Sequence, residues 1–121
     1  MTEIFCEFTF EAAHRLPNLP KEHKCHRMHG HNYKVAVYLR GDVDSTTQWV
    51  LDFGAVRDVF DTLVFVELDH RTLNDVEGLE NPTAEVIARW IYDRLTLAEV
   101  MRGLDRVIVY ELPTCGATYK P

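Results

Sequence analysis

A chain of 121 residues, 46% hydrophobic and 26% charged, has the size and composition of a single globular domain spanning 1–121, with no need of disulfide or metal staples. No apolar run approaches the ~18 residues of a membrane span, and no basic segment followed by an apolar one suggests a secretory leader. The net charge of -6 argues against a nucleic-acid partner, and three scattered cysteines (Cys6, Cys25, Cys115) without a C-x-x-C point to a reducing cytoplasm.

Ile4, Cys6, Phe8 and Phe10 alternate mostly with Glu3, Glu7, Thr9 and Glu11, which is strand periodicity with Phe5 as the exception. In register, that apolar face continues to Ala12 and His14. Arg15 to Met28, with Pro17 and Pro20 and no periodicity, is a loop, and long loops in compact domains are often functional. Alternation resumes at His29, with Tyr33, Val35, Val37 and Leu39 on one face, and ends at Gly41-Asp42. A polar turn leads to a short Trp49-Val50-Leu51 run. Asp52 then suits the N-cap of a helix whose Val56, Val59, Phe60, Leu63 and Val64 share one face. Residues 67 to 82 read as loop. A second helix starts near Thr83 and places Val86, Ile87, Trp90, Ile91 and Leu95 on its buried stripe. Leu104 to Leu112 and Ala117 to Lys120 are the last strands. The order β-β-α-α-β-β predicts an α+β fold: a four-stranded antiparallel sheet with two helices on one face. Its two open edges call for covering or for pairing with another chain, so a homo-oligomer is expected.

Between residues 14 and 34 five cations (Arg15, Lys21, Lys24, Arg27, Lys34) face a single acid, Glu22, and five of the six histidines fall there too. In an acidic protein, that segment suits an anionic small molecule. Within it, His29-Gly30-His31 puts two imidazoles on one side of an extended strand, roughly 7 Å apart along the backbone. Gly30 permits close backbone passage or unusual angles. His14 ends the apolar face of the first strand and His31 opens that of the second, so a hairpin brings His14, His29 and His31 together. Three imidazoles with no fourth protein ligand describe a catalytic zinc site, although the ligand type also accommodates copper, nickel or iron.

Cys25, four residues before His29, is either a fourth ligand closing a structural site or a reactive thiolate stabilised by Lys24, Arg27 and the metal. A domain of this size needs no structural zinc, which favours the thiol. Asp69-His70 pairs a carboxylate with an imidazole, the usual means of fixing its tautomer. Glu111 shares a strand face with Val107 and Val109, where a carboxylate is costly unless paired. Thr83 and Glu85 stand at the start of the second helix, where cap and dipole roles also account for them.

These motifs, in this order, resemble the 6-pyruvoyltetrahydropterin synthase / 6-carboxytetrahydropterin synthase family. The resemblance runs from F-x-F-E-A-A-H-R-L (Phe8–Leu16) through C-x-x-x-H-G-H (Cys25–His31), L-D-H-x-x-L-N-D (Leu68–Asp75) and N-P-T-x-E (Asn81–Glu85) to Tyr110-Glu111. It implies the tunnelling fold (T-fold), in which subunits join their sheets into a barrel, commonly a trimer, with two trimers stacked as a hexamer. It also implies zinc on His14, His29 and His31, and 7,8-dihydroneopterin triphosphate as substrate. The pterin would be anchored by Glu111, with Thr83 and Glu85 as further substrate-binding candidates, and its side-chain hydroxyls would lie on zinc. Cys25 would be the general acid or base, with Asp69 and His70 as a proton relay drawn partly from a neighbouring subunit. The charge of the basic loop suits the triphosphate.

Three residues between Cys25 and His29 resemble the bacterial 6-carboxytetrahydropterin synthases of the queuosine (7-deazaguanine) pathway; pyruvoyl-forming members have a longer gap. The expectation is therefore a cytoplasmic zinc-dependent carbon–carbon lyase releasing acetaldehyde and triphosphate. The pyruvoyl-forming reaction is the runner-up, and a non-catalytic zinc- or pterin-binding module is the reading from another class. His23 and His26 receive no role.

Overall fold

The computed structural model describes residues 1–121. The two long alternating segments form β1 (Thr2–His14) and β2 (His29–Gly41), an antiparallel pair in continuous register from Thr2↔Gly41 to His14↔His29. A two-residue strand, β3 (Arg71–Thr72), runs parallel to β1 at Ala12 and Ala13. β4 (Leu104–Leu112) pairs antiparallel with β2, and β5 (Cys115–Tyr119) with β4. The sheet therefore has five strands in the order β3-β1-β2-β4-β5, rather than the four antiparallel ones expected. Two residues are too few to carry a periodic signal, and β3 owes its place to tertiary bonds around Glu11, described below.

Helix α1 (Phe53–Phe60) starts where Asp52 Oδ1 accepts the Gly54 N–H at 2.8 Å. It continues through a π-helical turn (Asp61–Phe65) into a last α turn (Val66–Leu68), so the expected 67–82 loop begins only after Leu68. Val56, Phe60, Val64 and Leu68 recur every four residues and all are buried. In an ideal α-helix a four-residue step overshoots a full turn by about 40°, which would carry this row off the core. The wider π turn takes up the overshoot and keeps the four residues facing the sheet. Helix α2 (Ala84–Leu95) is capped by Thr83 Oγ1, which accepts the Val86 N–H at 3.2 Å. Its buried stripe is Ile87, Ala88, Ile91 and Leu95. Val86 lies outside it and is exposed, because the first-turn valine rotates away from the sheet; Trp90 is half-buried and donates its indole N–H to the Glu77 carbonyl at 3.1 Å.

Both helices pack on the face bearing Phe8, Phe10, Tyr33, Val35, Val37, Val107 and Val109, all buried in one core. Phe8 stacks on Phe60 with centroids 4.1 Å apart, and Phe10 on Tyr33 at 4.9 Å. Each such residue contributes about 1.5–3 kcal/mol by leaving water. Phe5, the break in the alternation, lies on the opposite face, exposed and stacked on Tyr38. The short Trp49 to Leu51 run forms bends, folded over by an Asp44-centred turn in which Asp44 Oδ1 accepts the N–H groups of Thr46 and Thr47. β5 starts two residues earlier than expected, at Cys115, and leaves the sheet after Tyr119. Gly116 is needed there, since a Cβ would sit 2.2 Å from the Val109 carbonyl oxygen.

Candidate metal centre and adjoining cleft

Strand register builds the centre. His29 stands directly opposite His14, and His31 opposite Ala12, two residues along the same sheet face. The three rings lie with centroids 4.6 to 5.1 Å apart, and one nitrogen from each falls within 4.8 Å of the others. Gly30 has no positive φ; its use is close approach, since a Cβ would lie 3.3 Å from the Ala12 carbonyl oxygen across the pair.

The outward nitrogens are fixed by backbone carbonyls. His14 Nδ1–H donates to the Pro82 carbonyl at 2.9 Å, with the Tyr33 hydroxyl 3.2 Å away sharing that hydrogen. His29 Nδ1–H donates to the Arg27 carbonyl at 2.7 Å. These bonds set both tautomers and leave each Nε2 as a lone pair facing inward. Yet the two Nε2 atoms are only 3.0 Å apart, and His31 Nε2 is buried without any hydrogen-bond partner. Lone pairs do not face one another at that distance unless a proton or a cation lies between them. Burial holds the His14 and His31 imidazoles below their ordinary pKa, which disfavours the proton. The donor set therefore fits a metal ion. Two Nε2 ligands of a tetrahedral zinc at about 2.0–2.1 Å would be roughly 3.3 Å apart, close to the spacing observed.

Glu111 completes the surroundings. β4 carries it on from the buried Val107 and Val109, and its Oε1 lies 3.6 Å from His14 Nε2 and 3.8 Å from His31 Nε2. A metal ion on the three histidines would supply the positive charge that a carboxylate on this apolar face demands. Cys25 is half-buried in a 3-10 turn (Lys24–His26), its N–H donated to His23 Nδ1 at 3.0 Å and its carbonyl accepting the Leu16 N–H at 2.8 Å. Its sulfur does not belong to the group of converging ligand atoms. That leaves the fourth-ligand reading without geometric support.

Asp69 and His70 are brought to the other side of β1. Glu11 N–H donates to Asp69 Oδ1 at 3.1 Å and Glu11 C=O accepts the His70 N–H at 2.6 Å, which docks the segment that continues as β3. His70 adopts φ 56°, a left-handed conformation uncommon outside glycine. Its Nδ1 lies 2.7 Å from Asp69 Oδ2, and its Nε2 3.6 Å from Glu11 Oε2. The Asp69 hydrogen bond raises the His70 pKa, while the Glu11 amide, more than His70 itself, lowers that of Asp69. A cleft of about 520 Å³ has both His31 and His70 in its walls, together with Glu11, Gly30 and Arg71. Thr83 and Glu85 stand apart in role: the Thr83 hydroxyl is occupied in capping α2, and Glu85 is exposed on its first turn.

The fold and these features can be set beside known proteins. A family model described as 6-pyruvoyl tetrahydropterin synthase matches residues 3–121. The chain belongs to the 6-pyruvoyl tetrahydropterin synthase family. Among the family's curated members, the 6-carboxy-5,6,7,8-tetrahydropterin synthase of Synechocystis sp. is 46% identical over 120 residues, covering 96% of this protein and 91% of that one. The 6-pyruvoyl tetrahydrobiopterin synthase of Drosophila melanogaster is 36% identical over 93% of this protein and 75% of its own length. The structure of Caenorhabditis elegans 6-pyruvoyl tetrahydropterin synthase superposes with a TM-score of 0.91 at 30% identity, covering 99% of this protein and 95% of the other. The chain is thus a member of an enzyme family and has its T-fold. Sequence reasoning had the three histidines, Cys25, Asp69-His70 and Glu111 in view. It had no means of finding the Pro82 and Arg27 carbonyls, which carry no residue-type signal, and it overlooked Glu11, whose backbone docks the Asp69-His70 pair.

Proposed function

We propose that the protein is a zinc-dependent lyase. It would convert 7,8-dihydroneopterin triphosphate and water to 6-carboxy-5,6,7,8-tetrahydropterin, acetaldehyde and triphosphate, in the cytoplasm and toward queuosine-type 7-deazaguanines. The observation that carries this reading is the convergence of three Nε2 lone pairs, without a fourth protein ligand, next to a cleft that also holds a carboxylate-paired histidine. The 46% identity to a carboxy-forming synthase, and the three-residue spacing from Cys25 to His29, support the carboxy product.

A zinc ion held by His14, His29 and His31 would supply Lewis-acid polarisation of a substrate oxygen and acidify the adjacent C–H and O–H bonds. The protein's own groups then have distinct tasks. Glu111 accepts N–H donors of the pterin ring and so orients it. Cys25 carries protons to and from the substituent on that ring. Asp69 holds the His70 Nδ1–H, leaving Nε2 free to exchange the second proton. Triphosphate departs by elimination, and a carbon–carbon bond of the substituent breaks in a retro-aldol step. The loop cations Arg15, Lys21, Lys24 and Arg27 make no ion pair within the protein, which supports a phosphate-facing role. The outer edge of β5, and that of β1 outside the two residues β3 pairs with, have no partner strand, which supports assembly with further copies, as a trimer or a pair of trimers.

The pyruvoyl-forming reaction is a second reading, favoured by the Drosophila relative. Incubating zinc-loaded protein with dihydroneopterin triphosphate and assaying acetaldehyde tests the assignment. Acetaldehyde in step with triphosphate is expected; consumption without it selects the pyruvoyl product, and no consumption defeats the enzyme reading.

A further inference from the structure

The parallel pairing of β3 with β1 ends at Ala13↔Thr72. Two residues on, the Arg15 peptide meets no backbone partner. It is met by a side chain: Asn74 Oδ1 accepts the Arg15 N–H at 3.0 Å, and Asn74 Nδ2 donates to the Arg15 carbonyl at 2.8 Å. The amide thus imitates a peptide group and extends the ladder past its last strand residue. Nδ2 also lies 3.2 Å from the Glu80 carbonyl, so its second hydrogen ties in the segment leading to Pro82. That segment holds the His14 ring, through the Pro82 carbonyl on Nδ1.

We infer that Asn74 is a positioning residue for the metal ligand His14, bracketing it between the Arg15 peptide and the Glu80–Pro82 segment. One planar group with an acceptor and two donors is required for this. Aspartate keeps the acceptor but sets a carboxylate oxygen against two carbonyls, and an aliphatic residue satisfies none of the three partners. His14 is wholly buried; its backbone adjoins one of the two segments that Asn74 joins, and its ring Nδ1 is bonded to the Pro82 carbonyl of the other. Partners outside the ligand set commonly change metal affinity about 10- to 100-fold.

The inference rests on His14, His29 and His31 as metal ligands, and its test separates the two claims. Zn²⁺ affinity is measured by competition with a chromophoric chelator for the wild type, Asn74→Ala, Asn74→Asp and Leu39→Val. The last trims a buried residue of β2 about 26 Å along the strand from His31 and serves as a control for stability loss alone. Co²⁺-loaded samples report ligand geometry through their visible absorption. Both Asn74 variants should bind Zn²⁺ about tenfold or more weakly and show an altered Co²⁺ spectrum, with Leu39→Val keeping wild-type values. Wild-type affinity and spectrum in a folded Asn74 variant, or equal losses in Leu39→Val, overturn the positioning role while leaving the metal centre standing. Failure of the wild type to take up Zn²⁺ overturns both.

Discussion

Glu111→Gln removes one charge with almost no change of shape, at a carboxylate lying 3.6 and 3.8 Å from two of the inward-facing imidazole nitrogens. A hydrogen bond to a charged group contributes about 1.5–3 kcal/mol net. If Glu111 accepts from the pterin ring, its loss should weaken pterin binding about 10- to 150-fold. The metal should stay, since the three histidine nitrogens that could hold it converge without the carboxylate. Stability should change little or rise, because an uncharged group is less costly on a face shared with the buried Val107 and Val109. The assay is equilibrium titration with 7,8-dihydroneopterin, alongside metal analysis and thermal melting of the same sample. Unchanged pterin affinity would remove Glu111 from the site. Loss of the metal in step with affinity would make it a ligand instead, and the site would no longer be an open one.

Cys25→Ala should retain a full complement of metal and lose turnover; a parallel fall in metal content would restore the structural, fourth-ligand reading. Asp69→Asn should bring the His70 pKa down toward the ordinary imidazole range, visible as an earlier midpoint in a proton NMR titration of its ring. The sign of the linkage follows from the same shift. The pair's contribution to stability is full below about pH 6.5 and fades as pH rises through the raised His70 pKa, so the variant should show a flatter alkaline limb. On the acid side, Asp69's contribution is lost as pH falls through its lowered pKa, and the variant lacks that limb as well. Thr83→Ala should cost about 1 kcal/mol by uncapping α2, roughly 4 °C in Tm for a domain of this length. An accompanying rise in KM beyond that of a matched destabilised control would give Thr83 the substrate contact expected of it.

Much of this architecture is legible in the sequence because the hairpin encodes itself twice. The alternation of β1 and β2 sets which residues share a face, and once the strands pair, His14, His29 and His31 have nowhere else to meet. Asp52 and Thr83 announce their helices by the same short-range chemistry that caps them. What stayed hidden depends on contacts distant in sequence. β3 exists because Glu11 binds Asp69 and His70 from 58 residues away or more, and two residues of strand leave no period to detect. The exposure of Val86 shows the limit of a helical stripe: its spacing fits, but the first turn of α2 points it past the edge of the core. The ring orientations of His14 and His29 rest on backbone carbonyls, which every residue possesses and no motif can mark. Thr83 shows the converse difficulty. A hydroxyl in a family-like motif suits a substrate contact, while its place at the start of α2 gives it a cap to form.

The central claim is that an open metal centre on three histidines performs carbon–carbon cleavage on a pterin triphosphate. The most direct test follows metal and product in one preparation: protein stripped by chelation, checked for an unchanged fold, then reloaded with measured amounts of Zn²⁺ and supplied with dihydroneopterin triphosphate. The account predicts no turnover in the stripped protein and acetaldehyde formation that rises with bound zinc to a plateau at one ion per subunit. Full turnover without metal, or a zinc-saturated protein that leaves the substrate intact, would contradict it.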